Sequence, residues 1–596
     1  MKILGISGLD QSVLFRRQQW PGLDEREYRI SQGHDAAAAL VLDGKCLYAA
    51  AEERFSRKKH SGEFPAGAID FCLREAGLSI DDIDEIAHAF DYSPYKSIFL
   101  LDPISARLYN TVYSREAFVA AVQNHFPHFP SERIVQVNHH LAHAASAYYT
   151  SGWNECLVIV LDGMGEVDSV SVYLARDGRL ERIHRIPATD SIGILYSLIT
   201  LHLGFDFNAD EYKIMGLAPY GDPARFREFF NRIVTLGDNG SIRIPILHMQ
   251  SNGNENTYQA TRGLLSGSLI KERQPDEEIT DDHRDVAAAL QEVLENTLLY
   301  ICGYFASRTG VRKLALAGGV ALNCTANGKL LQSGHFDEVY IQPAAGDDGS
   351  ALGAALHRSA HAGCIVNERQ KAPFLGPAYR NGNVASALRH QAERIEAVTF
   401  STLDETCAEA ARLIQAGSVI AWYRGRMEFG PRALGHRSIL ADPGRPEMRD
   451  RINAMVKMRE AFRPFAPAVA IEEVHRWFDV PPGTELPYMI TIVDVREPYR
   501  AELPAITHVN GSARVQTVSA KDNGDFHVLL EAVGRFTGRR MVLNTSFNIK
   551  GQPIVNTPGE AIETYLRTGI DYLFIENTLV ARKSTLANSR ASVLTA

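Results

Sequence analysis

Apolar and polar positions alternate near the start of the chain in a way that predicts three strands. Residues 2–8 read as a strand and turn, and 34–42 and 46–51 read as two further strands joined by Asp43-Gly44. Asp-Gly between alternating apolar runs is a strong hairpin signal, because both residues tolerate positive φ. The scheme returns later: 157–161, 169–174 and 180–186 read as strands, and Asp177-Gly178 supplies the tight turn. Ahead of this second set, Asn138-His139-His140-Leu141-Ala142-His143-Ala144 reads as the start of a helix. His139 and His143 share one face of it, since i and i+4 stack on a helix. A further, buried strand, 314–317, runs into Gly318-Gly319-Val320 and Asn323, followed by helical sequence through Ala326 to Leu331.

Two β-meanders, each followed by helical sequence, point to an α/β fold of the duplicated actin-like and sugar-kinase-like (ASKHA-type) architecture. A nucleotide or related ligand then sits in the cleft between the halves. Glycines after a strand let the backbone approach a phosphate or ribose, and the following helix N-terminus favours anions. Asp347-Asp348 opens another small-residue helix, where N-capping is the simplest role for an acid. Polar sequence from Asn367 to Lys371, ending at Pro373-Phe374-Leu375-Gly376-Pro377, marks a boundary. The expected organisation is an N-terminal domain 1–365, a linker 366–374 and a C-terminal domain 375–596.

The 596 residues leave room for several domains of roughly 100 to 200 residues. With 45% hydrophobic and 22% charged residues the composition is that of a globular protein. A net charge of −9 offers no broad basic field for nucleic acid, and no apolar run approaches the roughly 20 residues that span a bilayer. The start lacks the pattern of a signal peptide. Seven scattered cysteines, never spaced C-x-x-C, argue against a disulfide framework or zinc ribbon. A cytoplasmic protein is expected, without nucleic-acid or membrane partners; a homodimer is compatible with all of this.

Two imidazoles from one helix face, with Asp162 at the end of the strand 156–161, are the makings of a divalent-metal site. The alternative is that His139 packs or caps and only Asp162 has a role. The C-terminal domain carries cations among turn residues: Arg424-Gly425-Arg426, Gly430-Pro431-Arg432-Ala433-Leu434-Gly435-His436-Arg437, Lys457, Arg463-Pro464-Phe465 and Arg514, with Asn544-Thr545-Ser546-Phe547-Asn548 beyond. Arginine suits bidentate contacts with phosphate oxygens. Arg432 and Arg463 lie beside Pro and Gly in apolar runs, where an unpaired buried charge is costly, so a ligand is the better account of them.

With these residues assembled, the chain resembles the NodU-type O-carbamoyltransferases of nodulation-factor and antibiotic biosynthesis, a family that includes the tobramycin carbamoyltransferase. The resemblance spans nearly the whole length. It rests on His34-Asp35, the run Glu52-Glu53-Arg54-Phe55-Ser56-Arg57-Lys58-Lys59-His60, His139-His140-x-x-His143, Lys213-Ile214-Met215-Gly216-Leu217-Ala218, Gly318-Gly319-Val320, Gly430 to Gly435, Arg463-Pro464-Phe465-Ala466-Pro467 and Asn544 to Asn548. It implies two active sites. The C-terminal domain, similar to threonylcarbamoyl-AMP synthase (YrdC-like), joins carbamoyl phosphate to Mg-ATP, yielding carbamoyl-adenylate and pyrophosphate. The N-terminal domain, similar to the metal-dependent tRNA threonylcarbamoyl-transferase, moves the carbamoyl group to the hydroxyl of a small-molecule natural-product or sugar acceptor.

Carried over residue by residue, His139, His143, Asp162 and Asp347 match the family's metal ligands, with Fe(II) implied and other divalent ions chemically compatible. His34 matches a histidine near the acceptor, as general base or positioning group; a hydrogen bond holding Asp35 is its other role. Lys457, Arg463, Arg432 and Arg514 match carbamoyl-phosphate and nucleotide contacts, with Asn544 and Ser546 nearby. Lys213, Gly318, Gly319, Val320 and Asn323 join the substrate and nucleotide contacts. The segment 9–32 is longer than the family loop leads one to expect, and is read either as a wall of the acceptor pocket or as a surface excursion. Two rival functions stand beside this one: a threonylcarbamoyl-type tRNA-modifying enzyme, which would want a basic surface, and a non-catalytic nucleotide-binding protein of the actin-like fold. A hydrogenase-maturation carbamoyltransferase would carry cysteine-rich zinc modules, and the cysteine pattern here does not supply them.

Overall fold

A computed structural model describes residues 1–249, 257–366, 369, 372–457, 460, 462–463 and 465–583, with Asn381 and Lys457 as backbone only. The chain forms two compact units, one of residues 1–56 and 60–370, the other of 57–59 and 371–596.

The first unit contains two five-stranded sheets of the same plan. In the first, β1 (Lys2–Ile6), β2 (Ala37–Leu42) and β3 (Lys45–Ala51) form an antiparallel meander, and β4 (Glu85–His88) and β5 (Ile134–Gln136) add parallel to β1, giving the order β3-β2-β1-β4-β5. The second repeats it with β6 (Glu155–Gly165), β7 (Asp168–Arg176), β8 (Arg179–Pro187), β9 (Lys313–Ala317) and β10 (Glu338–Ile341), in the order β8-β7-β6-β9-β10. The duplicated actin-like architecture is thus present as strand topology. The central strands β1, β2, β6 and β9 are buried on both faces, as strands covered on both sides must be. β2 starts at Ala37, later than the apolar pattern predicts, because Asp35 takes φ 55 and cannot continue a strand.

Four helices matter for the site. α1 (Ser12–Gln19) lies in the long segment after β1, α2 (His139–Ser151) enters β6, α3 (Cys324–Gln332) follows β9, and α4 (Asp347–His361) follows β10. α2 and α4 cross at small residues. A Cβ on Gly353 of α4 would fall 1.7 Å from the carbonyl oxygen of Ala142 on α2, so no other residue fits there. This contact sets the N-terminal turns of the two helices beside one another.

The second unit is built on an eight-stranded mixed sheet. Its strands are β11 (Ile395–Thr399), β12 (Ile420–Tyr423), β13 (Arg437–Ala441), β14 (Ala466–Ala470), β15 (Gln516–Val518), β16 (Met541–Ser546), β17 (Tyr572–Ile575) and β18 (Thr578–Arg582), in the order β11-β18-β17-β12-β13-β16-β14-β15. Trp422, Leu440, Val542 and Phe574 from the sheet pack with Ile414, Phe526 and Leu530 from covering helices. Among the described residues no helix is long and apolar enough to cross a membrane.

Candidate active site

α2 begins at His139 because Asn138 caps it, its side-chain oxygen accepting from Leu141 N at 3.1 Å. Helical spacing then stacks the two imidazoles, and His139 Nε2 and His143 Nε2 lie 3.0 Å apart. Asp162 on β6 places Oδ2 3.3 Å from His139 Nε2. Asp347, first residue of α4, places Oδ1 3.4 Å from His139 Nε2 and 3.8 Å from His143 Nε2. One ligand atom from each of the four side chains lies within 4.8 Å of the others.

Two of the four ligands, His139 and Asp162, are held from behind. His139 Nδ1 lies 3.0 Å from the Ala89 carbonyl, which only accepts, so that nitrogen carries a hydrogen and, in the neutral ring a metal requires, Nε2 turns its lone pair to the cluster. The same ring stacks on Phe90, centroids 4.0 Å apart. Asp162 Oδ1 accepts from Gly319 N at 3.1 Å. Gly318 takes φ 94, and a Cβ there would fall 2.2 Å from the Leu161 carbonyl oxygen. The Gly318-Gly319 turn therefore presses against β6 and orients its aspartate.

Two buried imidazoles and two carboxylates, one buried and one partly so, concentrate negative charge where water is scarce. Burial opposes a charged imidazole, yet Asp347 and Asp162 hold the pKa of His139 well above its ordinary value. Burial likewise opposes ionisation of Asp162, but the hydrogen bond from His139 and the nearby histidines hold it far below the carboxylate range. Such a pocket demands positive charge. Its nitrogen and oxygen donors without thiolate fit a first-row divalent ion.

Glu166, which the sequence did not single out, organises this centre. It is buried, and Oε1 accepts from the backbone N–H groups of His139 and Asp91, both at 2.8 Å, while Oε2 accepts from Asn138 Nδ2 at 2.7 Å. Burial pushes its carboxyl up to about 7. Its signal was faint: an acid at φ 47 in the turn between β6 and β7.

The remaining expected residues of the first unit fall at different places. His34 is buried, with Nε2 3.1 Å from Ser31 Oγ and 3.2 Å from the Arg29 carbonyl. Asp35 is bonded to His60 and not to His34, Oδ1 lying 2.8 Å from His60 Nδ1. Lys213 Nζ pairs with Asp210 Oδ2 at 2.7 Å. Asn323 Oδ1 caps α3, accepting from Ala326 N at 3.0 Å. Val320 lies in a short 3-10 turn between β9 and α3. The long segment 9–32 packs inward: Arg29 Nε donates to the Phe207 carbonyl, Asn208 Nδ2 to the carbonyls of Arg29 and Ser31, and Gln32 bonds Tyr92 Oη.

In the second unit the Gly430–Gly435 stretch is wrapped on two buried ions. Glu428 Oε1 accepts from Leu434 N at 2.7 Å, His436 N at 2.9 Å and Arg437 N at 3.2 Å. Arg437 is fully buried, donates to the carbonyls of Arg424, His436, Gly425 and Pro377, and lies 3.7 Å over the Tyr423 ring. Asn544, also buried, donates to Ala433 O and to Gln516 Oε1, so β16 is tied to the residue after Arg432. Its Oδ1 has no partner among the described residues. Ser546 Oγ donates to Asn548 Oδ1 at 2.7 Å. Arg514 ends a short strand, Ser512–Arg514, and Arg463 pairs with Glu460 at 3.7 Å. Lys457 closes a turn, and its side chain lies outside the described residues.

Comparison with known proteins places segments of both units in one family. Residues 28–356 match the model of the carbamoyltransferase N-terminus, and residues 411–582 that of the carbamoyltransferase C-terminus. The nodulation protein NolNO of Sinorhizobium fredii is 39% identical over 92% of this chain and 79% of its own length. The 3'-hydroxymethylcephem-O-carbamoyltransferase of Streptomyces clavuligerus is 28% identical over 89% of this chain and 94% of its own. Among solved structures, full-length HypF in its phosphate- and nucleotide-bound form is similar at 15% identity over 60% of this chain and 55% of that one, with a TM-score of 0.29.

Proposed function

The chain belongs to the carbamoyltransferase family, and from that premise we propose that it carries a carbamoyl group to a hydroxyl of a small-molecule acceptor at the His139, His143, Asp162 and Asp347 centre. The observation that carries this reading is the convergence of those four side chains from two crossed helices and a strand. The relative from Streptomyces clavuligerus, named for carbamoylating a hydroxymethyl oxygen, favours an alcohol as acceptor.

The carbamoyl group is a poor electrophile until it carries a good leaving group. We assign that activation to the second unit. Carbamoyl phosphate, ATP and one water become carbamoyl-adenylate, orthophosphate and pyrophosphate. Arg432, Arg463, Lys457 and Arg514 would gather the phosphate charges, as clustered cations do in phosphoryl transfer. Asn544 and Ser546 supply neutral partners, and Glu428 with Arg437 keeps the Arg432 loop in place.

In the first unit, His139, His143, Asp162 and Asp347 would hold Fe(II) or another divalent ion. Such an ion polarises a carbonyl and lowers the pKa of a hydroxyl. The protein's own contribution is orientation. Ala89 and Phe90 fix His139, and Gly319 fixes Asp162. The segment 9–32, bonded to His34, Tyr92 and Asn208, forms a wall on the acceptor side.

Pyrophosphate release from ATP and carbamoyl phosphate, followed by mass spectrometry of a panel of hydroxylated natural products, tests this function. A product heavier by one carbamoyl unit is expected. A metal-replete preparation giving neither pyrophosphate nor product would sink it.

A further inference from the structure

Beside the four ligands lies a second constellation that the transfer centre does not use. Asp35, Glu53 and His60 bring one donor atom each within 4.8 Å of one another. Its core is a dyad: His60 Nδ1 and Asp35 Oδ1 are 2.8 Å apart. Both residues hold left-handed backbone, φ 55 at Asp35 and 56 at His60, a conformation that disfavours any residue with a side chain. Two such residues facing one another are kept only where the surroundings enforce them, and strain of this kind gathers at functional sites. The enforcement is visible. Glu53 Oε2 accepts from His60 N at 3.1 Å, Ala36 N donates to the Ser61 carbonyl at 2.8 Å, and Ser7 Oγ donates to the Asp35 carbonyl at 3.3 Å.

The dyad leaves one nitrogen over. His60 Nε2 has no hydrogen-bond partner among the described residues, although the side chain is only 22% exposed. A shielded imidazole nitrogen left unbonded requires a partner from elsewhere. His34, by contrast, has its Nε2 within hydrogen-bond distance of both Ser31 Oγ and the Arg29 carbonyl. The carboxylate on Nδ1 fixes the tautomer with Nε2 unprotonated, the arrangement that makes histidine a general base toward a hydroxyl. The place is suitable too. His34 lies close enough to both Asp347 and His60 to feel their charges, and Asp348, next to the ligand Asp347, feels Asp35 and Glu53. The dyad and the ligand cluster therefore border one neighbourhood at the start of α4.

We propose that His60 is the base that takes the acceptor's proton, with Asp35 as its positioning residue. This rests on hydroxyl transfer being the reaction. The acceptor O–H bond breaks toward Nε2, and its electron pair forms the bond from oxygen to the carbamoyl carbon. The bond from that carbon to the adenylate phosphate oxygen breaks, AMP leaves with the pair, and the imidazolium, facing Asp35, returns its proton to solvent.

The test has two arms on the full-length, metal-replete protein. With ATP, carbamoyl phosphate and 3'-hydroxymethylcephem, glycerol or glucosamine as probe alcohols, His60→Gln should lower kcat for transfer about 100-fold or more. KM for the alcohol and pyrophosphate release should stay within about threefold, and Asp35→Asn should lower kcat at least about tenfold, because the carboxylate that sets the tautomer is lost. Transfer by His60→Gln at the parent rate overturns the proposal, whereas absence of pyrophosphate in the parent indicts the underlying function instead. The second arm needs no acceptor. In nitrogen-15 histidine spectra at mildly alkaline pH, the His60 signal should show hydrogen on Nδ1 and a bare Nε2, and should change in Asp35→Asn. Hydrogen on Nε2 overturns the dyad even if none of the three alcohols is carbamoylated.

Discussion

Asp347 and Asp348 are consecutive, yet they face different ways: Asp347 Oδ1 lies 3.4 Å from His139 Nε2, while Asp348 Oδ1 turns back to accept from Gly349 N at 3.0 Å. Only the first is within reach of the ligand cluster. Asp347→Asn should therefore weaken divalent-metal binding at least about tenfold, while Asp348→Asn keeps the parent stoichiometry. Metal content after dialysis against a graded chelator series reads this directly, and equal loss in both variants would contradict the assignment.

Phe90 is almost fully buried against the His139 ring. Phe90→Ala should cost about 3–5 kcal/mol of stability through the cavity it leaves. It should also loosen the metal, because the ring would lose its backing. Urea unfolding and metal content together check both halves.

Arg437 carries a full charge in the interior and balances it on four backbone carbonyls and the Tyr423 ring. Arg437→Ala leaves those carbonyls short of donors and should destabilise the second unit by at least about 3 kcal/mol. Arg437→Lys should not restore it, since an ammonium cannot span the same fork. Chemical denaturation of both variants distinguishes a fork from a simple charge.

The Asp35–His60 pair has a pH signature. Burial pushes the Asp35 carboxyl upward, but the charge and hydrogen bond of His60 bring it down from 3.8 to about 2. A depressed folded value means stability that is present above 3.8 and lost as pH falls toward 2. Asp35→Asn should thus be less stable than the parent by about 1 kcal/mol near neutrality, with the gap closing in acid. Denaturant midpoints across that range measure it, and a gap that widens in acid would reverse the sign.

Much of the first unit was legible because its signals are local. Asp43-Gly44 and Asp177-Gly178 mark the hairpins of both meanders, and the spacing of His139 and His143 fixes their common face whatever packs around them. The first turn of α4 was visible only as an acidic pair. That Asp347, and not Asp348, meets the histidines is decided by how α2 and α4 cross at Gly353, a contact between segments far apart in sequence. Gly318-Gly319 invites a phosphate-loop reading from its local pattern; that the turn also holds Asp162 is something no local pattern reveals. Asp35 and His60 were quoted in separate motifs, and their pairing depends on two left-handed residues that composition does not announce. In the second unit, Arg432 and Asn544 drew notice by residue type. Glu428 did not, and Arg437 was noticed only as one cation of a run, because their task is to satisfy backbone groups of a loop whose path only the fold defines.

The central claim, activation in one unit and transfer in the other, is tested most directly by following pyrophosphate and carbamoylated alcohol together in His143→Ala and Arg463→Ala. The account predicts that His143→Ala releases pyrophosphate at close to the parent rate without carbamoylated product, while Arg463→Ala releases none. Equal loss of pyrophosphate release in both variants would contradict it.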